Sequence, residues 1–282
     1  MVENAASAPP PAPPASGSAL GPRIASALVM VPVALAIVWY GGPWISGLAA
    51  LAAAIMAWEW GRLVGRSTGL LDGLLLAGIA ALAVLVGAFV ASWLGLLVGL
   101  GGILLQQRLA AARNEVPIWT AVGLAWIIGP CIGFVWLRAD SADGTATVYW
   151  LLATVWAIDT AAYVAGKTIG GPKLAPRISP KKTWSGLIGG VVAATAVGLA
   201  AALIVGSDRS WQVALLSGAL AIVEQIGDMA ESFAKRRFGA KDSSNLIPGH
   251  GGLLDRLDGM LAVVVAVVIL SLVTGGSVLT WR

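Results

Sequence analysis

Residues 227–259 read GDMAESFAKRRFGAKDSSNLIPGHGGLLDRLDG, a polar stretch set into two apolar runs, 210–234 and 254–279. Each run is long enough to cross a bilayer as a helix. The stretch carries acids, bases and the only histidine of the chain, His250. Charged groups at a membrane boundary are costly unless they are paired, solvated or used. The reading of this stretch therefore decides both what kind of fold surrounds it and where chemistry is to be sought.

The rest of the chain is of the same apolar kind. Of its 282 residues, 58% are hydrophobic and only 11% charged, with a mean hydropathy of +0.85. A soluble domain carries about a quarter charged residues. Apolar blocks near the length of a bilayer-crossing helix recur at roughly 23–41, 44–63, 70–90, 92–110, 116–138, 146–168, 184–206, 210–234 and 254–279. Membrane barrels show short alternating segments instead, and none is present. The expectation is an all-α, polytopic membrane protein with about nine transmembrane helices.

Residues 1–22, rich in Pro, Ala and Ser, read as a disordered tail. Glu3 is the only charged side chain before Arg23, so the basic start of a cleaved signal is missing and the first apolar block is expected to remain as a span. Residues 23–140 read as an N-terminal transmembrane half and 141–282 as a C-terminal catalytic half. Cys131, the only cysteine, rules out an intrachain disulfide and reads as a small packing residue.

With the N-terminus in the cytoplasm and nine alternating spans, 15 of the 18 Lys and Arg fall on the cytoplasmic side. Only Arg138, Arg209 and Arg282 fall outside, the asymmetry that the positive-inside rule expects. Trp44, Trp93, Trp150, Trp184, Trp211 and Trp281 lie near span ends and read as interfacial anchors.

This topology puts a second polar region on the same face. Asp159 is a lone acid within an apolar run, with Tyr163 on the same helix face. After it come Lys167, Lys173, Arg177, Lys181 and Lys182, with prolines around Ser179-Pro180-Lys181-Lys182-Thr183 just before a helix begins. Setting topology calls for positive charge alone. Hydroxyls, amides and lysines at a helix N-terminus suit a polyanion such as a triphosphate.

In the opening stretch, Glu224, Asp228 and Glu231 fall on one helix face, with Ser232 four residues beyond Asp228. Lys235-Arg236-Arg237, Lys241-Asp242 and the glycine-flanked His250 follow, and Asp255 and Asp258 share the first turn of the last span. Carboxylates from two helices near a phosphate-binding loop form a hard-cation arrangement, and Mg²⁺ favours carboxylates together with water and substrate phosphates. One His and one Cys leave no usual zinc site. The metal candidates are Asp228 and Asp255, with Asp258 behind them. Glu59, in Trp-Glu-Trp near the cytoplasmic end of the second span, is read as pairing with Arg62 or lying in interfacial water as readily as being functional.

SFAKRRFGAKDSSNLIPGHGGLLDRLD (232–258) resembles the signature of phosphatidate cytidylyltransferases, also called CDP-diacylglycerol synthases. The shared features are a serine, a Lys-Arg pair, Lys-Asp, Pro-x-His-Gly-Gly and Asp-Arg-x-Asp. Ala234 departs from the larger aliphatic residue usual in the family. Asp159–Tyr163 and Ile178–Gly186 are similar to the family's Asp-x-x-Ala-Tyr and Ile-Ser-Pro-Lys-Lys-Thr-Trp-x-Gly segments. The resemblance spans residues 150–260, and the first 140 residues match only as a membrane-spanning half.

It implies that CTP and phosphatidic acid give CDP-diacylglycerol and pyrophosphate, with Mg²⁺ held by Asp228 and Asp255 and room for a second cation. The implied setting is the cytoplasmic face of the inner cell membrane, with no nucleic acid and with a homodimer allowed. On this reading Asp228, Asp255, Lys235 and Arg256 are catalytic. Ser179, Lys181, Lys182, Thr183, Ser232, Arg236, Lys241, Asp242, His250 and Asp159 contact or orient substrate. A secondary transporter, the competing class, explains acids within spans but not the concentrated Lys, Ser and Pro loops on one face. A CDP-alcohol phosphotransferase would need an Asp-Gly…Ala-Arg pattern that Asp258-Gly259 does not extend.

Overall fold

The computed structural model describes residues 31–65, 69–112, 118–139, 143–246 and 251–280. The expected tail, residues 1–22, lies outside them, as do His250, Trp281 and the start of the first expected span. Among the described residues there are nine helices: α1 (Val31–Tyr40), α2 (Gly42–Val64), α3 (Leu70–Phe89), α4 (Ser92–Ala112), α5 (Ile118–Ala139), α6 (Gly144–Thr168), α7 (Trp184–Val205), α8 (Ser210–Arg237) and α9 (Leu254–Thr274). All but α1 are long and apolar enough to cross a membrane. This is a multi-pass helical membrane protein, and the ends of α2 to α9 lie near those expected from hydropathy, the widest gap being α9, which stops at Thr274 where 279 was expected.

Hydropathy reads so directly because a helix in lipid must satisfy its own backbone, whatever its neighbours do. The outer surface agrees. Leu71, Leu74 and Leu82 of α3, Leu97 and Leu104 of α4, Ile188 and Ile204 of α7 and Leu215 of α8 are all exposed, as lipid-facing residues must be. Trp39, Trp44, Trp93, Trp184 and Trp211 are exposed near helix ends. Trp150 corrects the anchoring assignment made for it. It is buried, and its indole N–H donates to Ser217 Oγ at 3.0 Å across the α6–α8 contact.

Helices α2 to α5 pack on one another, as do α6 to α9, and α5 joins the sets through contacts with α6 and α9. Buried side chains of α2, α3 and α5 (Met56, Val84, Ile127) continue into Ala234 of α8 and Leu261 of α9. A second buried cluster gathers α1, α5, α6, α8 and α9. Arg138 of α5 ties α1 down by donating to the carbonyls of Val38 (2.7 Å) and Trp39 (3.0 Å).

In lipid, helices associate chiefly by close packing, so small residues at contacts matter. A Cβ on Gly198 of α7 would lie 2.1 Å from Ser217 Oγ and 2.9 Å from the Val213 carbonyl oxygen of α8. Gly198→Ala is therefore expected to lower stability by about 1–3 kcal/mol, read as a lower midpoint of thermal unfolding in detergent. An unchanged midpoint would mean that α7 and α8 can separate at no cost.

One element departs from an all-helical reading. Between α6 and α7 the chain forms a small antiparallel hairpin, β1 (Lys173–Ala175) and β2 (Ser179–Thr183), with Lys173 opposite Thr183 and Ala175 opposite Ser179. Pro180 lies in β2 of a two-stranded ribbon, in which each strand keeps one open edge, the place where proline is tolerated in a sheet. Thr183 then caps α7, its hydroxyl accepting from Gly186 N–H at 3.1 Å.

Candidate functional site

The last third of α8 carries Glu224, Asp228, Glu231 and Lys235 along one face. Three elements bring charged groups to that face. From β2, Lys182 Nζ lies 2.5 Å from Asp228 Oδ2. From α9, Asp255 Oδ1 accepts from Lys235 Nζ at 2.7 Å, and Lys235 also pairs with Glu231 one turn earlier on α8. From α6, Asp159 lies beside Glu224, Asp228, Lys182 and Arg256. Its side chain remains accessible from outside. The two polar regions of the sequence thus meet in one place, and the Lys182–Asp228 contact is where they touch.

The groups differ in how free they are. Asp228 is half-buried, and its other oxygen accepts from Ser232 Oγ at 3.2 Å. Asp258 is buried, accepts from Gly259 N–H at 2.8 Å, and faces Asp228, Glu231 and Lys235. Asp255 is held on both oxygens. Besides Lys235, it accepts from Ser243 N–H (2.9 Å to Oδ2), Ser243 Oγ (3.0 Å) and Gly252 N–H (2.8 Å). Its carboxylate fastens the loop between α8 and α9 to the first turn of α9.

The remaining predicted residues are more peripheral. Arg236 is exposed and donates to the carbonyls of Ile178 (3.4 Å) and Ala240 (3.0 Å), linking the end of α8 to the hairpin turn. Lys181 is exposed, and Ser179 is half-buried on the same strand. Lys241 and Asp242 are exposed on the loop, and Asp242 lines a pocket of about 540 Å³ with Trp58, Arg62 and Ser244. Arg256 is exposed on α9. Tyr163 turns to Lys167, whose ammonium lies 3.4 Å from the phenol oxygen.

Glu59 is the residue whose surroundings sequence reasoning missed. It is 0% exposed, so it is not solvated, and Arg62 lies instead over the Trp58 ring at 4.9 Å. Glu59 Oε1 accepts from Ser244 Oγ (2.6 Å) and Leu253 N–H (3.0 Å), and Oε2 accepts from Leu254 N–H (2.8 Å). An acid inside the second apolar run was the available signal, but its partners lie more than 180 residues away.

Six carboxyl groups (Asp159, Glu224, Asp228, Glu231, Asp255, Asp258) thus gather around three cationic side chains (Lys182, Lys235, Arg256). Among the described residues no three acidic, imidazole or thiol side chains converge closely enough to hold a metal alone. An ion held by one or two of these carboxylates would complete its shell with water and a ligand's phosphate, as Mg²⁺ does.

Residues 21–274 match the cytidylyltransferase family. The chain belongs to that family. The phosphatidate cytidylyltransferase of Brucella suis biovar 1 is 40% identical over 256 residues, covering 87% of this chain and 90% of the relative. That of Haemophilus influenzae is 31% identical over 285 residues, covering 86% and 95%. A phosphatidate cytidylyltransferase of Staphylococcus haemolyticus is 41% identical over 133 residues, 47% of this chain. The cytidylyltransferase match thus takes in α2 to α5, where short motifs alone carried no signal.

Proposed function

We propose that this chain is a phosphatidate cytidylyltransferase of the cell membrane, converting CTP and phosphatidic acid to CDP-diacylglycerol and pyrophosphate. The observation that carries the reading is the Lys182–Asp228 contact, which joins the hairpin lysines to the acids of α8 at one end of the helices. The uneven distribution of Lys and Arg supports placing that end at the cytoplasmic face of the inner membrane, where CTP is available.

A phosphate oxygen of phosphatidic acid attacks the α-phosphorus of CTP. A new P–O bond forms as the bond from the α-phosphorus to the bridging oxygen breaks, and the electron pair leaves with pyrophosphate. The nucleophile is already an anion, so the protein needs no strong general base. Its task is to hold two polyanions in line and to offset their charge. Lys181, Lys182 and Arg236 line the approach with positive charge, and Arg256 and Asp159 flank the α8 acids.

Asp228 and Asp258 are the oxygens best placed for Mg²⁺. Asp255 can join only by giving up a bond from Lys235, Ser243 or Gly252. When bound, the ion would neutralise charge developing on the triphosphate. Lys235 is committed to Glu231 and Asp255. Its role is to hold α8 against α9, and substrate charge falls to the other cations.

The test uses purified protein in detergent with CTP, phosphatidic acid and Mg²⁺. Pyrophosphate and CDP-diacylglycerol are expected in equal amounts, with no pyrophosphate when phosphatidic acid is left out. Release of CMP from added CDP-diacylglycerol and an alcohol, with no pyrophosphate, would overturn the reading.

A further inference from the structure

We infer that Glu59, carried by α2 in the half of the chain without signature motifs, is a positioning residue for the reaction. It fixes the described ends of the loop between α8 and α9, at Ser243–Ser244 and Gly252–Leu253, and through them the aim of Asp255. The inference rests on the cytidylyltransferase reading of the site.

The geometry leads to it step by step. Helix α9 begins at Leu254, inside the protein, where its first N–H groups have no helical partner. Neither Leu253 nor Leu254 has a side chain that can cap. Glu59 supplies the missing acceptors, one carboxylate oxygen to each N–H, and places negative charge at the positive end of the helix. The hydroxyl of Ser244 also donates to Oε1 (2.6 Å), while that of Ser243 lies 3.4 Å from Oε2 and turns its single proton to Asp255.

Ser243 precedes Ser244 in the chain. Its N–H and hydroxyl both donate to Asp255, and Asp255 in turn holds Lys235. Glu59 thus holds Ser244 and the start of α9, and the neighbouring Ser243 and Gly252 in turn hold Asp255. Gly252 supports the same conclusion. A Cβ there would lie 2.0 Å from Ser243 Oγ and within 2.8–3.0 Å of the Glu59 oxygens. The loop closes on Glu59 too tightly to admit any side chain at Gly252.

A glutamine at position 59 has similar size but only one accepting oxygen. Whichever way its amide turns, an N–H₂ group must face a donor from α9 or the loop. Glu59→Gln and Ser244→Ala should be compared with the unaltered protein in detergent, with four readings on each. These are the unfolding midpoint, kcat, KM for each substrate, and hydrogen exchange at the Leu253 and Leu254 amides. Glu59→Gln is expected to lower kcat/KM for CTP by about 10–100-fold, the usual range for a group supporting active-site ligands. KM for phosphatidic acid should hold, and the two amides should exchange faster. Ser244→Ala, which removes one of the bonds, should move the same readings less.

Glu59→Gln protein that folds and turns over CTP like the unaltered protein overturns the inference. So does a loss of activity that only follows the loss of folded protein. Should Glu59→Gln fail to fold, Ser244→Ala decides, and unchanged kcat/KM with unchanged exchange overturns it. If the unaltered protein makes no pyrophosphate, the cytidylyltransferase reading fails, while the exchange arm still tests the tether.

Discussion

Asp228→Asn is expected to lower CTP-dependent formation of CDP-diacylglycerol by about three orders of magnitude while the protein still folds and inserts. The substitution keeps the shape and the Ser232 contact but removes the negative charge that faces Lys182. Asp228 is the half-buried acid at the junction of α8 and the hairpin, so its charge serves substrate or cation more than the packing of helices. Several kcal/mol of charge stabilisation at such a position corresponds to about a thousandfold in rate. Steady-state kinetics with a Mg²⁺ titration, beside an unfolding curve in detergent, checks it. Asp228→Asn protein with full activity would remove Asp228 from the cation site.

Lys235→Met should act on stability first. Lys235 sits between Glu231 and Asp255, with side-chain exposures of 11%, 0% and 8% for the three. Removing the ammonium leaves two buried carboxyl groups near each other and near Asp258 with no cation between them. Breaking a buried pair in this way costs about 3–5 kcal/mol. The variant is expected to unfold at markedly lower temperature or denaturant. Adding Glu231→Gln should recover part of that loss without recovering full turnover, since Asp255 still lacks its bond from α8. A single Lys235→Met variant as stable as the unaltered protein would show that these acids are compensated by something other than Lys235.

The legible parts of the site share one property. Glu224, Asp228 and Glu231 could be put on one face because helical periodicity alone does so. Asp255 and Asp258 could be put at the start of a span because the apolar run begins there. The hairpin was less legible. Its prolines marked a constrained loop, but a ribbon of three and five residues has too few side chains to show strand alternation. Trp150 misled for a related reason. Tryptophan at a span end reads as an anchor, and only Ser217 on another helix gives its N–H a buried partner.

By itself, then, the sequence determined the helical membrane architecture, the approximate ends of α2 to α9, and the two polar regions where charge concentrates. These are local matters, set by hydropathy over about twenty residues and by helical repeat. Tertiary structure alone decided which charges pair. It sent Lys182 to Asp228, committed Lys235 to Glu231 and Asp255, and buried Glu59 beneath a loop more than 180 residues distant. The physical reason is that a buried charge takes whatever partner packing brings within hydrogen-bond reach, and packing between distant helices leaves no periodic trace in either of them.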